Sequence, residues 1–280
     1  MKSLLDLLRG IYRHPFKTAQ YIFAAFSMLF TAVKAVDHFL PSVQIQGYVP
    51  LTILLLVSVG FGFKKVWKPS RIEIAIANSH TTIEVVFDDL FKQAGIRTIA
   101  VSQFFDTYLG KLVSDKSVHG IFIKQCFGGH SESLDKQLGD QLKGVASSEV
   151  QKVEGKTKSY AVGTTALITV NDDQYILFAL TSADPQTLKA SADVTMMWVA
   201  LHEVWQRARI ESGGRAVNLP LVGGGLSGLG LPTRDLLNLI ILSAITETKA
   251  KEVTQRIRIV LTRDRFEDLD LREVAKHWRE

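Results

Sequence analysis

The sequence runs to 280 residues, 46% hydrophobic and 22% charged, which is enough for one large domain or two small ones. Its net charge of +5 is uneven, because nine Lys/Arg and only two acids, Asp6 and Asp37, fall between Met1 and Arg71 while the rest is close to neutral. Basicity so placed argues against a nucleic-acid face, and the single cysteine, Cys126, excludes an intrachain disulfide or a Cys-based zinc site.

The chain opens on Leu4, Leu5, Leu7, Leu8, Ile11 and Tyr12, which read as one face of an interfacial helix. Lys17 and Lys34 then bracket 16 uncharged residues, TAQYIFAAFSMLFTAV. Both lysines can snorkel, so a first membrane span is expected over about 18–37. A second span is expected over 43–63, where VQIQGYVPLTILLLVSVGFGF carries no charge and matches a bilayer core about 30 Å thick. Lys2, Arg9, Arg13 and Lys17 precede the first span, and Lys64, Lys65, Lys68 and Arg71 follow the second. The loop between them has only Asp37 and His38, so the positive-inside bias places both termini in the cytoplasm of a multi-pass protein. A cleaved signal peptide is disfavoured, because no small-residue cleavage site follows the first span and the second would still anchor the chain. Residues 1–70 are thus an anchor and 71–280 a cytoplasmic domain.

From Arg71 the pattern alternates. Strands are expected at Arg71–Asn78 and Thr81–Phe87 around an Asn78-Ser79-His80 turn, then at Ile96–Ser102. Residues 117–145 read as helix interrupted at Gly128-Gly129. Strands follow at Tyr160–Val170 and Gln174–Thr181, then a helix at Thr187–Ile210. A strand at Ala216–Val222, a glycine loop, a helix at Thr233–Ala250, a strand at Arg256–Thr262 and a helix at Glu267–Trp278 complete the chain. Such alternation predicts a three-layer α/β/α domain with a mixed sheet, whose ligand sites lie beyond the carboxyl ends of the strands.

The sharpest motif is Gly223-Gly224-Gly225-Leu226-Ser227-Gly228-Leu229, between a buried strand and a helix. Glycines let backbone N–H groups approach an anion with no Cβ in the way, and the helix adds its positive end. A pyrophosphate cradle and a merely structural crossover loop both fit. Gly223, Gly225 and Gly228 also match G-x-G-x-x-G, but a dinucleotide fingerprint should open a fold, not close it. No catalytic or metal set is assembled. Ser227 lacks the nucleophile-elbow context, and His202-Glu203 is followed by Gln206 where H-E-x-x-H needs a second histidine. Asp172-Asp173 reads as a turn, and Asp264, Glu267 and Asp268 as charges at a helix start.

Val85-Val86-Phe87-Asp88-Asp89-Leu90, Ile99-Ala100-Val101-Ser102 and the late Pro220–Leu229 loop together resemble a macro domain over about 71–280. The resemblance implies that Asp89 takes the adenine amino group and that Gly223–Leu229 hold the pyrophosphate. Arg263 stands where the family has an adenine-stacking aromatic, and Ser117-Val118-His119-Gly120 looks like the other wall of the diphosphate site. Macro hydrolases carry an Asn pair near the distal ribose, where this chain reads Ser102-Gln103-Phe104-Phe105, and Ser227 replaces the aromatic over that ribose. Both departures favour a reader with room for a decorated distal end. With a two-helix anchor, IAVSQFFDT and SVHG, the chain resembles more narrowly the transmembrane-macro form of the ThsA effectors of the Thoeris antiphage system. That implies a bacterial inner-membrane homo-oligomer sensing an ADP-ribose-derived signal, described as a histidine–ADP-ribose conjugate, made by a TIR-domain partner. Membrane damage and abortive infection would follow, with no further cofactor. An anchored ADP-ribosyl hydrolase and a membrane-tethered scaffold are the rival expectations.

Overall fold

The computed structural model describes residues 12, 14–40, 42, 45, 47–225 and 228–278. The expected interfacial helix falls outside them except for Tyr12, as do Leu226 and Ser227. Two compact units are present, one of residues up to 70 joined by 270–272, the other of 71–269 with the chain from 273 onward.

The first unit holds α1 (Pro15–Phe39) and α2 (Tyr48–Val66), packed against each other. Pro15 occupies the first turn of α1, where its missing N–H leaves no bond unmade. Helix α2 begins at Tyr48 after Gly47 at φ +101°, five residues later than expected, and extends to Val66. A Cβ on Gly62 would run into the Ile22 side chain and lie 3.3 Å from the Ile22 backbone nitrogen, so glycine permits the helices' close approach. The hydroxyls are satisfied within their own helices. Ser58 Oγ donates to Leu54 O at 2.7 Å, and Thr18, Thr31 and Thr52 to the carbonyls of His14, Ser27 and Tyr48 at 2.8 Å. Phe23, Met28, Ile53 and Leu56 are exposed. Both helices are long and apolar enough to cross a membrane, and little of either is buried, unlike the core helix of a soluble protein.

The second unit is a mixed sheet between helices. Its strands are β1 (Arg71–Ala75), β2 (Thr82–Phe87), β3 (Ile96–Ser102), β6 (Thr165–Val170), β7 (Asp173–Ala183), β8 (Ala190–Ser191), β9 (Val217–Pro220) and β10 (Arg256–Leu261). The order is β1-β2-β10-β9-β3-β7-β6, with β8 on the end of β7. The five strands from β2 to β7 are parallel, while β1, β6 and β8 are antiparallel to their neighbours. A separate ribbon pairs β4 (Ser147–Glu149) with β5 (Lys158–Tyr160). Helices α3 (Val118–Phe127) and α4 (Glu132–Gln141) cover one face, where Phe122, Ile123, Leu134 and Leu138 meet Ile99, Val101, Tyr175 and Leu177. Helices α5 (Val194–Glu211) and α6 (Thr233–Ala250) bury Leu201, Val204, Trp205, Ile240 and Ile241. Trp205 Nε1 donates to Ser243 Oγ at 3.0 Å, so even the largest buried side chain has its polar atom paired. The last helix, α7 (Leu271–Trp278), starts four residues later than expected. Asp268 is 3.7 Å from Arg265, and Asp270 accepts from the Arg272 N–H at the helix start.

Candidate functional site

Strands β9 and β3 pair only at Ile96–Val217 and Arg97–Asn218. Beyond that point β9 stays on β10 as far as Pro220, and β3 stays on β7 as far as Ser102. The two strands therefore part towards their carboxyl ends, and the chain leaves them in opposite directions, β3 toward β6–β7 and β9 toward β10. Such a switch point makes a crevice in a parallel sheet. Its closed end is fastened by Asn218, fully buried, whose Nδ2 donates to Ala94 O and Ile96 O at 3.0 Å. Arg258 Nη1, on β10, donates to Asn218 Oδ1 at 2.8 Å.

Phe87 and Leu261 are register partners, so Asp89 and Arg263 leave adjoining strand ends, and the glycine loop leaves the next. Asp89 Oδ1 accepts from Phe91 N at 3.0 Å, capping the short turn Leu90–Lys92. Its other oxygen lies 3.9 Å from Lys92, and the side chain is about two-fifths exposed at 41%. Arg263 is exposed. In the loop, Gly223 has φ +81°, and its carbonyl accepts from Leu229 N at 2.9 Å. A Cβ on Gly228 would sit 2.8 Å from Gly225 O, whereas one on Gly225 meets, beyond its chain neighbours and among the described residues, nothing within 4 Å. Gly223 and Gly228 thus close the loop, and Gly225 keeps its outer surface open.

On the β3 side the register with β7 shifts between Val101 and Ser102. Gln103 N donates to Thr181 O at 2.8 Å and Gln103 O accepts from Tyr160 N at 3.0 Å, leaving the side chains of Ser102 and Gln103 half-buried. Ser117 caps α3: its hydroxyl accepts from Gly120 N at 2.9 Å and donates to Ser114 O at 2.7 Å. A Cβ on Gly120 would strike that same carbonyl, so glycine is required by close approach. His119 is buried with no hydrogen-bond partner on Nε2. Burial, and secondarily the charge of Lys156, pushes its pKa down to about 3, so the ring is neutral.

Asp89, Ser102, Gln103, Arg263 and the described glycine-loop residues Gly223, Gly224, Gly225, Gly228 and Leu229 therefore share one edge of the sheet. Ser117, His119 and Gly120 instead serve the start of α3. Three features had no sequence expectation. Arg265 reaches Gly224 O at 3.4 Å and Thr233 Oγ1 at 3.5 Å, tying the glycine loop to the end of β10 and the start of α6. Asn218 is the second. The third is a buried ion pair, Lys152 with Asp106, under the loop after β3; Lys152 also lies 4.2 Å over the Phe104 ring. His202, half-exposed, bonds Glu247 at 2.5 Å. Among the described residues no cluster of His, Cys, Asp and Glu is placed to hold a metal ion.

The profile of the family described as "Thoeris protein ThsA, Macro domain" matches residues 83–262. No curated protein matches the chain. Among solved structures, the Oceanobacillus iheyensis macrodomain with ADP superposes with a TM-score of 0.52 at 11% identity, covering 74% of this chain and 95% of that one. A glycine-to-valine mutant of the same macrodomain with ADPR gives a TM-score of 0.53, again at 11% identity, covering 74% of this chain and 97% of that one.

Proposed function

Since the chain belongs to the Thoeris ThsA macro-domain family, we propose that the crevice between β9 and β3 receives an ADP-ribose-type nucleotide and that the protein is a membrane-anchored receptor for it. The observation that carries this reading is the parting of β9 and β3 with a self-closed glycine loop at its edge, whose Gly225 faces open space. Asp89 takes the adenine amino group on its second oxygen, and Arg263 lays its planar guanidinium along the base. The loop Gly223–Leu229, including Leu226 and Ser227, presents backbone N–H groups to the pyrophosphate. Ser102 and Gln103, with the α3 start at Ser117, His119 and Gly120, lie toward the distal end, where a histidine conjugate of ADP-ribose is the ligand the family resemblance implies.

Its source is a TIR-domain partner, and its outcome is damage to the bilayer that α1 and α2 span with both termini cytoplasmic. Two helices cannot enclose a pore, so the damage requires several copies. Binding without turnover is favoured because Phe104 and Phe105, following Ser102-Gln103, are fully buried and offer no group to activate water.

Calorimetry of the full chain in nanodiscs with ADP-ribose and its histidine conjugate tests the reading. Gly225→Val, whose Cβ meets none of the described residues beyond its chain neighbours within 4 Å, is expected to weaken binding on the order of tenfold or more. Equal affinity in parent and variant would refute the cradle. Release of ADP-ribose from a modified substrate would favour the anchored hydrolase.

A further inference from the structure

Another cavity, of about 490 Å³, is lined by α4, the β4–β5 ribbon and Phe104 and Phe105 of the loop that follows β3. We propose that it is a binding site for a small organic anion with a planar apolar body, separate from the crevice and independent of what the crevice binds. Its volume is that of an ordinary small-molecule site.

One wall is apolar. Half-buried Tyr160 lines it together with the buried Phe105, Leu138 of α4 and Leu142 just beyond that helix, and the Phe105 and Tyr160 rings cross edge to face at 5.6 Å and 89°. The rim is cationic, since the lining carries Lys143, Lys156 and Lys158 against a single carboxylate, Asp135. That carboxylate is already engaged: it accepts from Thr107 Oγ1 at 2.8 Å and pairs with Lys156 at 2.5 Å. The surplus of positive charge beside an aromatic wall selects an anion that also has a flat face.

The walls are fixed before any ligand arrives. Lys156 Nζ donates to Phe105 O at 2.7 Å and Lys156 N to Asp106 Oδ1 at 2.9 Å, while Tyr160 N bonds the carbonyl of Gln103. Lys152, with its side chain 1% exposed, anchors the same loop through Asp106. Gly139 supplies a further sign. It sits inside α4, where glycine weakens a helix, yet a Cβ there would meet nothing within 4 Å. No packing contact requires glycine at this position, and its effect is to keep the cavity open.

The probe is phenyl phosphate, measured by equilibrium dialysis against the full chain in phosphatidylcholine nanodiscs. Saturable binding is expected to the parent and, unchanged, to Gly225→Val. Gly139→Phe fills the cavity and should weaken binding at least tenfold, while ADP-ribose titrations match the parent. Lys143→Gln combined with Lys158→Gln should weaken it severalfold without filling the cavity, which keeps the test open if Gly139→Phe does not fold. Inorganic phosphate should compete poorly, having no face for the aromatic wall. No saturable binding to the parent, undiminished binding to folded Gly139→Phe and to the double lysine variant, or loss in Gly225→Val would each overturn the proposal. The ADP-ribose titrations report on the crevice separately.

Discussion

Asp89 Oδ1 caps the turn Leu90–Lys92 through Phe91 N, and Oδ2 lies 3.9 Å from Lys92; in the proposed function that second oxygen takes the incoming donor. A charged hydrogen bond of this kind contributes roughly 1.5–3 kcal/mol. Asp89→Ala is therefore expected to weaken nucleotide binding by about ten- to a hundredfold, read by calorimetry. An unchanged dissociation constant would move the adenine pocket, with Asp88 as the first suspect. His119 sets a second expectation. Its folded pKa is pushed down to about 3 from 6.5, so above pH 6.5 the ring is neutral folded or unfolded. Between 6.5 and 3 only the unfolded chain takes the proton, and stability falls as the pH drops, by up to about 1.4 kcal/mol per pH unit. His119→Leu should flatten that dependence in denaturant titrations at pH 7 and pH 5; an equal slope in parent and variant would refute it. The place of Asp89 just past the end of β2 was legible through the resemblance to a macro-domain strand end. The burial of His119 was not, since its neighbour Lys156 is remote in sequence, and the same holds for Asp106 with Lys152.

Strand β3 and helix α6 occur over the residues their sequence patterns indicate, because each is bounded by polar or breaking residues and buries a continuous apolar set. The ribbon β4–β5 was invisible: Ser147–Glu149 is exposed throughout and gives no alternation to read. The expected strand Tyr160–Val170 is broken at Gly163, φ +92°, so Tyr160 belongs to the ribbon and β6 starts at Thr165. Helix α5 begins at Val194, seven residues late, because Asp193 caps it through Met196 N at 2.7 Å. Residues 184–188 turn on the Asp184 carboxylate instead. The glycine loop was legible as an element, but its division of labour was not. Gly223 needs its positive φ and has Leu229 Cδ1 2.6 Å from any Cβ, whereas Gly225 has neither constraint. Gly223→Ala should therefore lower stability by about 1–2 kcal/mol and Gly225→Ala by a few tenths, measured by chemical unfolding. Equal effects would show that the loop does not close on Gly223.

At the scale of the whole molecule, residues 67–70 alone separate α2 from β1. In the proposed function, a ligand that favours one packing of the domains acts on the helices through this short connection. A long Gly/Ser insertion after Lys68 is expected to leave nucleotide binding intact and to reduce the membrane damage proposed above. Undiminished damage would mean that clustering alone is enough. The parallel pairing of β2 with β10, Thr82 to Arg256 and Phe87 to Leu261, reaches further, into synthesis. Helices α1 and α2 leave the ribosome before any of the sheet, but β2 waits for β10, the last of the described strands, before its inner edge is covered, and a pairing so distant in sequence forms slowly. The two apolar helices are therefore complete long before the sheet, and Arg263 follows the last of the described strands. Chains stopped at residue 250 should insert, bind no nucleotide and lose residues 71–250 to protease, so that a message cut short leaves no half-built crevice.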